Sequence, residues 1–241
     1  MLIDSPRLDD DDRAAWKRTE EVDAVWSATA AFRARVALAQ SEIFKFCGHP
    51  GGYAGVSWGK DSTVLADLVA GFGCRLPLVW VRVEPIANPD CATVRDAYRA
   101  LRPEQQYDEI TIACSSDEYG WHATGTLERG FAVAADRYGD RHVSGIRADE
   151  SAGRKLRFLR HGHATERTCA PLSRWTPADV FAYLYWRELP VHPAYAMTQH
   201  GLWTRDRIRV ASLGGRRGDG HGRAEWERRY YGDYLARMEA T

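Results

Sequence analysis

The stretch SWGKDS, residues 57–62, combines hydroxyls, a lysine and a glycine at the end of a mostly apolar segment. A turn from a strand into a helix leaves backbone N–H groups without partners, and the helix dipole adds partial positive charge there. Gly59 lets a bound group approach the backbone closely, while Ser57, Lys60 and Ser62 add donors and charge. The stretch therefore predicts a phosphate or pyrophosphate site, although an ordinary strand–helix corner has a similar composition.

A second group of charged residues lies in GIRADESAGRK, residues 145–155, directly after another predicted strand. Arginine and lysine side chains in such a place hold anionic oxygens with paired or charged donors. The alternative is a solvated loop at the start of a helix. The charged side chains of this stretch are Arg147, Asp149, Glu150, Arg154 and Lys155.

Composition excludes several other classes of protein. The 241 residues carry 33 basic and 33 acidic side chains, and this balance argues against a general nucleic-acid binder. No apolar run is long enough to cross a bilayer, and the start, MLIDSPRLDDDDR, is acidic where a signal peptide is basic and then apolar. These features predict a soluble, cytoplasmic protein.

The five cysteines form no C-x-x-C pair, and their number is odd. This pattern disfavours a disulfide framework, a zinc site and an iron–sulfur cluster. It predicts mostly buried free thiols in a reducing compartment. The cysteines are Cys47, Cys74, Cys91, Cys114 and Cys169.

Predicted strands and helices alternate through the middle of the chain. Apolar runs predict strands at residues 53–57, 76–83, 109–113 and 142–146, with helices at 61–69, 90–101 and 127–138 between them. This alternation is typical of a parallel sheet with helices on its faces, where ligands bind at the carboxyl ends of the strands. Residues 57–62 follow the first of these strands.

We predict one domain over residues 1–241, whose terminal segments differ in character from its middle. An acidic, mobile arm (1–19) precedes a long helix (20–47), and a C-terminal segment (196–241) holds a lid and a helix. The arginine- and glycine-rich part of that segment has three interpretations: a lid that closes over phosphates, a contact to nucleic acid or an acidic partner, or a solvated loop. The lid interpretation assigns phosphate binding to Arg216 and Arg217.

Residues 57–62 resemble the S-G-G-x-D-S pyrophosphate loop of the adenine nucleotide alpha hydrolase superfamily, with Trp58 in place of the first glycine. We expect the Trp58 side chain to point outward. Together with GIRADES and PLSRWT (171–176), the loop resembles the phosphoadenosine phosphosulfate reductase family, which includes the ATP-binding small subunit of ATP sulfurylase. The order and approximate spacing of these motifs hold over residues 53–195.

This resemblance implies a three-layer α/β fold with a five-stranded parallel sheet, Rossmann-like and of the adenine nucleotide alpha hydrolase type. ATP, adenylylsulfate or 3′-phosphoadenylylsulfate would lie across the carboxyl ends of the strands. Asp61 would bind a magnesium ion or serve only as a first-turn acid of the helix. The matched positions that would contact the nucleotide are Ser57, Trp58, Gly59, Lys60, Asp61, Ser62, Gly145, Arg147, Arg154 and Lys155.

The chain departs from the reductases of that family, which carry a reactive cysteine in an E-C-G-x-H motif near the carboxyl end. The last cysteine here is Cys169, so we expect chemistry at phosphorus instead: adenylyl transfer or cleavage at the α-phosphate of ATP with release of pyrophosphate. Lys60, Asp61 and Arg147 are the predicted catalytic residues. The alternative is a non-catalytic or partner-dependent nucleotide-binding subunit in sulfur assimilation, DNA sulfur modification or phage defence, and the sequence leaves the oligomeric state open.

Overall fold

A five-stranded parallel sheet forms the centre of the protein. The computed structural model describes residues 1–71, 74–115, 123–210, 212–214 and 222–239. Neighbouring strands pair in the order β3-β2-β1-β4-β5, and every pair is parallel. The predicted parallel sheet is thereby confirmed. The strands are β1 (Tyr53–Val56), β2 (Leu78–Glu84), β3 (Tyr107–Ala113), β4 (His142–Ser144) and β5 (Thr168–Cys169).

Helices connect these strands and cover the sheet. The helices predicted within the alternating region lie within a few residues of the expected positions, because their apolar faces repeat at helical spacing. The structure describes α1 (Asp10–Ser27), α2 (Ala30–Cys47), α3 (Lys60–Ala70), α4 (Asp90–Leu101), α5 (Ala123–Tyr138), α6 (Ala152–His161), α7 (Pro177–Trp186) and α8 (Arg223–Glu239). None of the helices among the described residues is both long and apolar enough to cross a membrane.

The amino-terminal segment differs from the prediction. The single helix expected over 20–47 is two helices, because Thr29 caps α2 by accepting a hydrogen bond from the Phe32 N–H. The mobile arm expected over residues 1–19 is also wrong. Ile3 donates its N–H to the Val191 carbonyl at 2.9 Å, and residues 10–12 are the acidic first turn of α1. Negative charge at that end is favourable to the helix dipole.

One pair of cysteines contradicts the prediction of free thiols. Cys47, at the end of α2, forms a disulfide with Cys74, and their Cα atoms are 5.9 Å apart. The spacing of cysteines along the chain could not show this pair, since it depends on how α2 packs beside the segment that follows α3. The other three cysteines are buried: Cys91, Cys114 and Cys169.

The strand order determines where a site can form. The chain proceeds from β1 to β2 and β3 in one direction and then returns to β4 and β5 on the other side of β1. The segments that follow β1 and β4 therefore leave the same edge of the sheet side by side. In open α/β sheets this switch point is the usual position of a ligand.

Candidate functional site

The corner between β1 and α3 presents a helix N-terminus whose N-cap residue is a glycine. Gly59 has no side chain to accept a hydrogen bond from the first turn, and Ser62 Oγ donates to the Gly59 carbonyl at 3.1 Å. Ser57 donates its amide N–H to Ser62 Oγ at 3.1 Å, so the loop is held against the helix. The Lys60 N–H donates to Tyr195 Oη at 3.0 Å. The other first-turn donors and the helix dipole suit an anion.

Trp58 lies inside the protein, which contradicts the expectation that it points outward. Its φ of 61° is in the left-handed region, where the resembled loop has glycine. The indole is fully buried and packs against the rings of Tyr98 and Tyr107, with centroids 5.4 and 5.7 Å away. The loop backbone thus keeps a glycine-like shape while the side chain fills the core between α4 and β3.

Asp61 lies between two buried cations. Its Oδ1 is 2.5 Å from Arg147 Nε, and its Oδ2 is 3.0 Å from Lys60 Nζ. Burial lowers the pKa of Lys60, and the negative charge of Asp61 opposes that effect. The pairing brings together the three residues that the sequence predicts to be catalytic.

The segment after β4 approaches α3 closely. A Cβ on Gly145 would lie 3.1 Å from the Asp61 carbonyl oxygen, so a side chain there would crowd the backbone of α3. Arg147 is only 2% exposed, and its backbone N–H donates to Glu150 Oε2 at 3.0 Å. Arg154 forms an ion pair with the same carboxylate. Gly145 and Arg147 are therefore where the sequence predicts them, beside the start of α3.

Lys155 does not join this group. Its side chain is 60% exposed, and its Nζ is 3.7 Å from Asp149 Oδ1. Both residues belong to the segment predicted to hold an anionic group, but only Asp149 lines the adjoining cavity. Lys155 is therefore not part of the cavity lining, unlike Lys60 and Arg147.

A cavity of about 560 Å³ opens at this edge of the sheet. Lys60 and Arg147 belong to its lining, and a part of the C-terminal segment contributes Arg207 and Arg209. Both arginines are exposed, and they alternate with the buried Ile208 and Val210. The described residues that line the cavity are Lys60, Arg147, Asp149, Glu150, Pro177, Asp206, Arg207, Ile208 and Arg209.

Val210 and Leu213 anchor the C-terminal segment over the loop of residues 57–62. A Cβ on Gly59 would lie 2.8 Å from Val210 Cγ2, so the segment packs on the glycine itself. Cys91 Sγ donates to the Val210 carbonyl, and Leu213 donates its N–H to the Ile86 carbonyl at 2.7 Å. The predicted phosphate ligands Arg216 and Arg217 fall outside the described residues.

Sequence reasoning missed four residues of this site: Tyr195, Asp206, Arg207 and Arg209. The stretch RIRV, residues 207–210, alternates charged and β-branched residues. That alternation is typical of an extended segment with one buried face, and it could have identified Arg207 and Arg209. The role of Tyr195 depends on a contact between residues 135 positions apart, which no local pattern shows.

The donor set does not fit a magnesium ion held by the protein alone. Both carboxylate oxygens of Asp61 are paired with cations. Within the described ranges, no three His, Cys, Asp or Glu residues form a group that could hold a metal. Magnesium usually binds through substrate phosphates with one or two carboxylates. Coordination by Asp61 stays a prediction.

None of the cysteines offers a thiol to the cavity. Cys47 and Cys74 form the disulfide, and the other three cysteines are buried. Burial raises the pKa of Cys169 to about 12. A thiol nucleophile needs access to its substrate, and these buried cysteines lack it.

A family model matches the larger part of the chain. The model of the phosphoadenosine phosphosulfate reductase domain matches residues 53–217, from β1 to beyond the cavity. The protein belongs to this family. No curated protein matches the sequence.

The solved structure of NMN synthetase from Francisella tularensis has a distant likeness to this protein. The two chains are 12% identical, with 86% of this chain and 92% of that chain covered and a TM-score of 0.47.

Proposed function

We propose that this member of the phosphoadenosine phosphosulfate reductase domain family binds an adenine nucleotide and catalyses substitution at its α-phosphate, with release of pyrophosphate. One observation carries the proposal. Lys60, the first residue of α3, and Arg147 line one cavity beyond the carboxyl ends of the strands. Helix N-termini and buried cations of this kind bind phosphate groups.

The proposed reaction needs positioning and charge neutralisation more than a protein nucleophile. An acceptor atom attacks the α-phosphorus, and the bond from that phosphorus to the bridging oxygen breaks. The electron pair leaves with pyrophosphate. Lys60 and Arg147 would neutralise the charge that develops on the phosphate oxygens, and Asp61 would keep both cations in place.

The buried thiols favour this chemistry over reduction of a sulfonucleotide. Reduction through a protein thiol requires an exposed thiolate near the substrate, whereas Cys169 is fully buried in β5. Adenylylsulfate and 3′-phosphoadenylylsulfate still fit the proposal as bound nucleotides, because they share the adenylyl group. Measured binding affinities distinguish these two nucleotides from ATP.

Titration calorimetry with ATP, adenylylsulfate and 3′-phosphoadenylylsulfate tests the binding step. We expect at least one of them to bind, and Lys60→Ala to weaken that binding by about tenfold or more, since hydrogen bonds to charged groups contribute about 1.5–3 kcal/mol. Arg160→Ala is the matched control, because Arg160 is an exposed cation on α6 outside the cavity lining. Absence of heat with all three nucleotides would refute the proposal.

Pyrophosphate release with ATP and magnesium, with and without sulfate, tests the chemical step. Turnover that is lost in Arg147→Ala and kept in Arg160→Ala supports an enzyme. Binding without turnover in any condition would refute the catalytic part. It would favour the alternative of a nucleotide-binding subunit that depends on a partner.

A further inference from the structure

A second cavity, of about 630 Å³, adjoins the cavity that Lys60 and Arg147 line, and the two share Asp206. It lies between α1, the start of α7 and the segment of residues 195–206. Cavities of this size are typical of small-molecule sites. The described residues that line it are Ala15, Trp16, Arg18, Thr19, Val22, Ala178, Tyr195, Ala196, Thr198, His200, Gly201, Trp203, Thr204, Arg205 and Asp206.

The walls of this second cavity suit a ring. The partly exposed Trp203 and the largely buried Trp16 line it together with three alanines. Aromatic walls with a few polar groups are typical of sites for apolar or ring-bearing ligands. The three small residues are Ala15, Ala178 and Ala196.

Two residues connect the two cavities. Asp206 lines both of them. Tyr195 lines the second cavity, and its Oη accepts the N–H of Lys60, which lines the first. The negative charge of Asp206 also raises the pKa of Lys60 against the larger effect of burial, so the carboxylate is close enough to act on that lysine.

The backbone beside the cavity is strained and firmly held. Gln199, His200 and Gly201 have successive φ values of 42°, 55° and 87°. Left-handed conformations are unfavourable for residues other than glycine, and they persist where the surrounding structure enforces them. On the amino-terminal side, Thr198 donates its N–H to Asp12, and the Met197 carbonyl accepts from Trp226 Nε1 at 2.9 Å.

The charge of Asp206 restricts the ligand. Asp206 is exposed, and the neighbouring Arg205 is paired with Asp23. A carboxylate accepts hydrogen bonds from hydroxyl and amine groups and repels anions such as sulfate or another carboxylate. The end of the second cavity that faces the phosphates therefore favours an O–H or N–H group.

We propose that the second cavity binds the acceptor of the proposed transfer, a small molecule with a ring-bearing apolar body and a hydroxyl or amine group that faces Asp206. This inference rests on the proposed function. The acceptor oxygen or nitrogen forms a bond to the α-phosphorus, its proton passes to Asp206, and pyrophosphate leaves with the electron pair of the broken bond.

Calorimetry with 2-(indol-3-yl)ethanol as the probe tests the site. Ala178→Trp fills the cavity from the exposed first turn of α7, and Ala37→Trp is the matched control on the exposed face of α2. We expect the wild type and Ala37→Trp to bind the probe equally, and Ala178→Trp to bind it at least tenfold more weakly. All three proteins should bind the nucleotide with similar affinity.

The possible outcomes separate the two proposals. Equal probe affinity in the two tryptophan variants, or no probe binding to the wild type at millimolar concentrations, overturns the cavity inference even if the nucleotide binds. If no nucleotide binds, the proposed function fails and the acceptor role fails with it, whatever the probe does.

A second comparison tests the role of Asp206 separately. Indole-3-acetate has the same ring with a carboxylate, and we expect it to bind the wild type several-fold more weakly than the alcohol does. Asp206→Asn should narrow that difference, because the variant removes the repelling charge. Tighter binding of the acetate to the wild type, or an unchanged ratio in the variant, would show that Asp206 does not face the ligand.

Discussion

Arg147 Nε lies 2.5 Å from Asp61 Oδ1, although the two residues are 86 positions apart in the chain. The contact joins the first turn of α3 to the segment after β4. It depends on the pairing of β1 with β4, which places the ends of both strands side by side. The topology of the sheet, more than any local motif, therefore assembles the cations of the site.

Removing the Asp61 charge should destabilise the protein. Asp61→Asn leaves Lys60 and Arg147 buried without their shared carboxylate, and breaking a buried pair in this way costs about 3–5 kcal/mol. The free energy of unfolding from urea denaturation measures the effect. Asp149→Asn, which removes an exposed partner from Lys155, should cost less than about 1 kcal/mol.

The same variant distinguishes a positioning role from a purely structural one. A nucleotide that binds the two cations would supply the missing negative charge, so it should raise the thermal midpoint of Asp61→Asn more than that of the wild type. Equal shifts would indicate that the phosphates do not contact Lys60 or Arg147.

Gly59→Ala should disturb the contact between the loop and the C-terminal segment. The new Cβ would lie 2.8 Å from Val210 Cγ2, and overpacking of this kind costs about 1–3 kcal/mol. In a Val210→Ala background the same change should cost clearly less, which a double-mutant cycle measures by urea denaturation. Gly153→Ala, where the nearest atom is 3.9 Å away, is the control. Additive effects would contradict the contact.

The sequence predicted those parts of the fold that local patterns specify. The alternation of apolar runs predicted the order of strands and helices between residues 53 and 146. The hydroxyls and Lys60 marked the corner after β1, and Arg147 followed from its place after β4. These features depend on residues that are close together in the chain.

The parts that the sequence did not predict depend on packing between distant segments. The disulfide requires α2 to end beside the residues after α3. The position of Arg207 depends on the packing of the nearby Val210 against Gly59, far away in the chain. The second cavity likewise exists only because α1 packs near residues 195–206.

Trp58 should contribute to stability in spite of its unfavourable backbone conformation. Trp58→Gly relieves the positive φ but removes a fully buried indole, and large-to-small changes of that kind cost about 3–5 kcal/mol. Relief of the left-handed conformation returns only about 1–2 kcal/mol. We therefore expect a net loss of stability in urea denaturation, with Trp58→Phe intermediate. A more stable glycine variant would show that backbone strain dominates.

Alkylation of native protein tests the arrangement of the cysteines. Iodoacetamide should label none of the five under non-reducing conditions, because two form the disulfide and three are buried. After mild reduction of the folded protein, mass spectrometry should find label on Cys47 and Cys74. Cys169, whose pKa burial raises to about 12, should react only after unfolding. Rapid labelling of Cys169 in the native protein would contradict its burial and would favour thiol chemistry at the site.

His192 should make the stability of the protein sensitive to acid. Burial lowers its pKa to about 3, and its Nδ1 accepts the Ala194 N–H at 3.1 Å. Between pH 6.5 and 3 the unfolded chain binds a proton at this histidine and the folded protein does not. Its contribution to stability therefore falls by about 1.4 kcal/mol for each pH unit of acidification in that window and is constant above it.

The variant His192→Asn keeps a hydrogen-bond acceptor near the Ala194 N–H but has no group that titrates in this range. Urea denaturation at a series of pH values should show a shallower loss of stability between pH 6.5 and 3 for this variant than for the wild type. His161→Asn, at an exposed position at the end of α6, should leave the slope of the wild type unchanged. Parallel slopes for the wild type and His192→Asn would mean that His192 takes up a proton in the folded protein, and hence that the turn before Tyr195 admits water.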